Sequence, residues 1–171
     1  MERTTRLGPI AILACLGVGS LGPARAQQST PPQAPTATES GLITIASLHP
    51  SAETIERFEA AVRAKGWAIF AKLDHAAAAE AAGLQLRPRT VVVFGNPKGG
   101  TPAMQTNPTL AIDLPLKALV WEDENGKVWL TYNSAEFVGQ HVYRRHGLIL
   151  GAEPTRSLVK LLGAVSREAT Q

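Results

Sequence analysis

Two groups of residues in this chain have types and spacing suited to chemistry. The first is Gly95-Asn96-Pro97-Lys98-Gly99-Gly100-Thr101. Glycine-freed backbone amides, one cation and one hydroxyl ahead of a helical stretch are what an anion site requires. The order is not that of a P-loop, because Lys98 precedes the glycine pair, and it is not a dinucleotide fingerprint. The same residues also suit a plain chain reversal. The second group is Asp74-His75, ahead of an alanine-rich stretch. A neutral imidazole at a helix start could serve as a base or a metal ligand, while Asp74 beside it suits a helix cap.

The remaining candidates carry less. His141 and His146 are five apart, and on a regular helix they point about 140° away from each other, so they cannot share a metal. Phe137, Val138, His141, Val142 and Arg145 share a stripe, which places His141 at a core edge. His146 precedes Gly147 at a helix end that favours a cation, and His49 is a loop residue. No G-x-S-x-G is present, and Glu122-Asp123-Glu124 reads as a solvated turn. No metal ligand set and no cofactor is expected.

The elements that must position these residues follow from hydrophobic period. Leu42 to Leu48 and Trp67 to Leu73 are strands, with a helix between them carrying Ile55, Phe58 and Val62 on one face. Asp74 caps a helix from His75 to Ala82. Arg89 to Phe94 holds Val91-Val92-Val93-Phe94 without polar alternation, which predicts a central strand covered on both faces. If the second strand neighbours the central one, His75 and the Asn96 loop lie at the same sheet end and share one rim. Leu116 to Glu122 and Lys127 to Tyr132 flank Asn125-Gly126 as a hairpin. A two-residue turn there puts Leu119, Trp121, Val128, Leu130 and Tyr132 on the core side and Trp129 outside. Ser134 caps the next helix, and Leu158, Leu161, Leu162 and Val165 mark the last. The order β-α-β-α-β-(α)-β-β-α-α argues for an α+β two-layer sandwich, about five strands in a mixed sheet with helices mainly on one face.

The chain ahead of residue 41 reads as an address. Arg3 and Arg6, an apolar run from Leu7 to Leu21, and Ala24-Arg25-Ala26 form a secretory signal over 1–26. A lipoprotein anchored through Cys15 is the alternative, and the run is too short for a comfortable membrane span. Residues 27–40 are a Pro/Thr/Gln-rich tether, and 41–171 form one domain. Cleavage after Ala26 leaves 14 basic and 13 acidic residues, a net charge of +1, and no cysteine. The basic pI of the whole sequence comes largely from the signal, so nucleic acid is not expected as a partner. Disulfides, thiolate metal sites and cysteine nucleophiles are excluded from the mature domain. A periplasmic or secreted location is expected, with no membrane span once the signal is removed.

Several motifs recur together. Asp74-His75, Phe94-Gly95-Asn96-Pro97-Lys98 with Thr101 and Met104, Asp113-Leu114-Pro115-Leu116-Lys117 running into Val120-Trp121-Glu122-Asp123, and Tyr132-Asn133 resemble the bacterial family catalogued as domain of unknown function 302. The resemblance spans about Leu42 to Leu162, implies a compact two-layer α+β fold, suggests a homodimer, and implies no activity. It adds Asp113 to the candidates. The expected role is binding of a small ligand, anions included, or of a periplasmic protein, through Asp74, His75, Asn96, Lys98, Gly99, Thr101 and Asp113. An enzyme with His75 as general base and a purely structural or oligomerisation module are the alternatives.

Overall fold

The computed structural model describes residues 38–171, so the expected signal and most of the tether lie outside the described residues. Five strands, β1 (Leu42–Ala46), β2 (Ala68–Asp74), β3 (Arg89–Gly95), β4 (Leu116–Glu122) and β5 (Val128–Asn133), form one sheet in the order β1-β5-β4-β3-β2. Helices α1 (Ser51–Ala64) and α5 (Ala152–Thr170) cover one face. Ile55, Phe58 and Val62 of α1 and Leu158, Leu162 and Val165 of α5 close on Val92, Phe94, Val120 and Leu130 of the sheet. Each fully buried side chain of this size contributes roughly 2 kcal/mol. The α+β two-layer sandwich is the observed architecture.

Three details differ from expectation. The sheet is not mixed: every neighbouring pair is antiparallel. A parallel β2–β3 pair would need a crossover helix packed on the sheet. Helix α2 (His75–Ala81) has only seven residues and none is buried, so the chain turns back instead. Strand β3 is interior but lies second from the β2 edge, and β4 occupies the middle. Its burial alternates: Thr90, Val92 and Phe94 are buried, whereas Val91 and Val93 on the face away from α1 and α5 are half-buried.

The third difference is hairpin register. Trp121 pairs with Trp129 and Val120 with Leu130, one residue away from the two-residue turn. The turn is longer because Asp123 organises it: its Oδ1 accepts from the Asn125 and Lys127 amides, and its Oδ2 from Trp129 Nε1. The slip moves Leu119 and Trp121 off the core side, where Ala118 and Val120 take their place. Trp121 then stacks on Trp129 with ring centroids 6.1 Å apart on the outer face.

Candidate functional site

The glycine-rich stretch is not a loop. It forms the first turns of α3 (Pro97–Thr106), with Asn96 as N-cap and Pro97 at the first helical position. Asn96 Oδ1 accepts from the Lys98 amide at 3.0 Å, and the Asn96 carbonyl accepts from the Gly99 and Gly100 amides. The amides that would meet an anion are occupied by Asn96. Lys98 and Thr101 are exposed on the same helix.

What the stretch does build is one wall of a cavity of about 410 Å³. Asn96, Gly99, Gly100 and Met104 supply that wall, and Lys98 and Thr101 do not line it. Trp67 and Phe70 close the β2 side, with Leu114, Pro115 and Leu116 entering β4 opposite. Leu150, Pro154, Ser157, Leu158 and Leu161 complete it from α5 and the approach to it.

Local structure explains how these side chains arrive there. The β2–β3 register slips between Ile69 and Ala71, and this bulge takes Phe70 out of the ladder. Gly95 is required by close approach: a Cβ there would sit 3.3 Å from Pro115 Cβ and 3.5 Å from Phe70 Cε2. Beyond Ser134, whose Oγ accepts from the Phe137 amide, an α turn (α4, Ala135–Phe137) continues as a π-helix over Val138–Tyr143. The wider turn brings residues five apart onto one side, and Val138 and Tyr143 both line the cavity. Burial pushes the Tyr143 phenol above its ordinary pKa.

A polar cluster lies beside this cavity. His146 is buried, with its side chain 6% exposed. Its Nε2 is 2.6 Å from Asp113 Oδ2 and its Nδ1 2.7 Å from Thr109 Oγ1. Asn107 caps the 3-10 turn Pro108–Ile112, accepts from Thr109, and donates from Nδ2 to the His146 carbonyl. Arg145 adds a 3.4 Å contact to Asp113. The cluster ties the segment entering β4 to the end of the π-helical segment, two of the cavity's walls.

The sequence candidates therefore separate. Asn96 and Gly99 belong to the cavity, Lys98 and Thr101 face away from it, and Asp113 belongs to the polar cluster. Asp74 and His75 are elsewhere: Asp74 pairs with Thr90 and Ala68 with Gly95, so His75 sits at the opposite end of β3 from Asn96. The shared rim does not exist, and His75 cannot act as a base beside the Asn96 turn. Asp74 is a helix cap, its Oδ1 accepting from the Ala76 and Ala77 amides, and His75 is exposed. His141 is also exposed, stacked on Phe137 at 4.7 Å, rather than set at a core edge. Sequence reasoning missed Trp67, Phe70 and Tyr143 as site residues. Phe70 is hidden by a bulge and Tyr143 by a π turn, neither of which has a period to read. Among the described residues no cluster of three or more His, Cys, Asp or Glu could hold a metal.

Fold and cavity together define a small two-layer α+β domain with an apolar pocket at one sheet end. The family model for "Domain of unknown function DUF302" matches residues 43–165, and the chain belongs to that family. The crystal structure of an uncharacterized conserved DUF302 protein from Bacillus stearothermophilus superposes with a TM-score of 0.62 at 20% identity. It covers 75% of this chain and 98% of that one, and bears out the fold. Curated relatives include the "Fluoride-specific ion channel FluC 1" of Brucella suis biovar 1 and of Brucella abortus biovar 1, each 40% identical over 95% of this chain. The chain spans 62% and 58% of those relatives' lengths.

Proposed function

We propose that this domain binds a small, largely apolar molecule in the cavity between α3, the π-helical turn and α5. The observation that carries this reading is a volume of about 410 Å³ walled by Trp67, Phe70, Met104, Leu114, Leu150 and Leu161 together with a few polar groups. Small-molecule sites fall in this size range and have this composition. The occupied amides of α3 and the outward Lys98 argue for an apolar ligand over the anion that the sequence left open. The reading places the domain outside the cytoplasm, on the strength of the secretory pattern in residues 1–26.

The fluoride channel named for the Brucella proteins resides, in this reading, in the part of those proteins outside the match. More than a third of each relative lies there. Among the described residues of this chain no helix is long and apolar enough to cross a membrane. The test is a fluorescence titration with N-phenylnaphthylamine, a neutral apolar probe. Saturable binding is expected, and it is lost in Ser157→Trp and in Gly100→Met, two substitutions that fill the cavity from opposite walls. Binding that persists in both folded variants sinks the reading.

A further inference from the structure

We infer that the cavity selects uncharged ligands carrying a hydrogen-bond acceptor, of the ketone, ester or alcohol class, and that the Tyr143 hydroxyl donates to that acceptor. The inference rests on the cavity being a ligand site. Its first support is charge. No Asp, Glu, Lys, Arg or His lines the cavity, although Asp113, Arg145 and His146 lie close by in sequence to Leu114 and Tyr143. Asp113 and Arg145 are turned to each other in the polar cluster with His146, so an ionised ligand entering the cavity would lose water and meet no countercharge.

The second support is the set of polar groups that remain. Tyr143, half-buried, and Ser157, exposed, line the cavity, and neither hydroxyl is tied up in a hydrogen bond within the described residues. Trp67 also lines the cavity, and its indole N–H is a group that can only donate. The Asn96 side-chain oxygen already accepts from Lys98, which leaves its amide nitrogen to donate. The free groups are therefore neutral and biased toward donation, and a ligand oxygen is their natural complement. A tyrosine phenol is protonated at neutral pH in any case, and burial pushes Tyr143 further in that direction, so it is a donor there. The π turn sets Tyr143 beside Val138 on the cavity wall, where on a regular α-helix residues five apart would diverge.

The experiment compares ligands matched in shape. N-phenylnaphthylamine and anilinonaphthalenesulfonate share a ring system and differ by one sulfonate. The neutral probe is expected to bind at least about tenfold more tightly, and undecanone to displace it at least about tenfold better than undecanoate. Tyr143→Phe keeps the ring and removes the donor. It is expected to weaken undecanone about two- to tenfold, the worth of one neutral hydrogen bond, and to leave undecane unchanged. Equal binding of the neutral and sulfonated probes, both lost in Ser157→Trp, overturns the selectivity while leaving the cavity as a ligand site. An unchanged undecanone affinity in Tyr143→Phe overturns the role of that hydroxyl. Failure of every probe to bind removes the ligand site itself and the inference with it.

Discussion

The two ends of β3 were equally rich in chemical promise and have opposite structural fates. At the Gly95 end, α3, the β2 bulge, the π-helical turn and α5 converge, and their apolar side chains leave a cavity. At the Thr90 end, Asp74 spends its carboxylate on two amides of a seven-residue helix, and His75 has solvent around it. The residue types do not explain the contrast, since an Asp-His pair is chemically more capable than Asn-Pro. Convergence explains it. A site needs several elements to bury the same small volume, and α2 buries nothing.

That comparison is most sharply broken by variants at each end. Ser157→Trp should take binding of the neutral probe below detection, measured by fluorescence, while His75→Ala leaves it unchanged. Next in size is the polar cluster beside the cavity. Asp113→Ala leaves buried His146 without one of its two partners and should cost about 2 kcal/mol in denaturant unfolding. Thr109→Ala, on the other ring nitrogen, should cost about 1 kcal/mol. At the far end, Asp74→Ala removes an N-cap and should also cost about 1 kcal/mol, without any change in probe binding. If Asp74→Ala weakens binding as Asp113→Ala weakens stability, the two ends are coupled and the contrast fails.

The smallest effect concerns the two tyrosines of the sequence. Burial raises the pKa of both Tyr132 and Tyr143. Each keeps its proton in the folded state after the unfolded chain has lost it. The stability is therefore full below about pH 10 and falls as pH rises from there toward the folded values. Absorbance titration should show both phenols ionising late. A neutral ligand should delay Tyr143 further and leave Tyr132, which faces Ser166 in the core, where it was.

Much of the fold was legible in the chain. The strand content of Leu42 to Ala46, the Leu158–Val165 stripe and the Ser134 cap each carry a local signal, and the structure follows them. Direction and register were not legible, because both depend on what a connection packs against. An alanine helix after Asp74 looks the same in sequence whether it crosses a sheet or merely turns the chain. Asn125-Gly126 marks a hairpin but not its loop length, which the Asp123 carboxylate sets through its own hydrogen bonds. The site was half legible. Asn96 and Gly99 stand at the end of an apolar strand and are visible for that reason. Phe70 and Tyr143 reach the cavity through irregularities that break the periods on which sequence reading depends.

Amide NMR spectra of the labelled chain, titrated with N-phenylnaphthylamine, test the central claim most directly. Shifts confined to Asn96–Met104, Leu114–Leu116, Val138–Tyr143 and Leu150–Leu161, with none over Asp74–Ala81, are the predicted result. Shifts centred on Asp74 and His75, or none in any of the cavity walls, would contradict it.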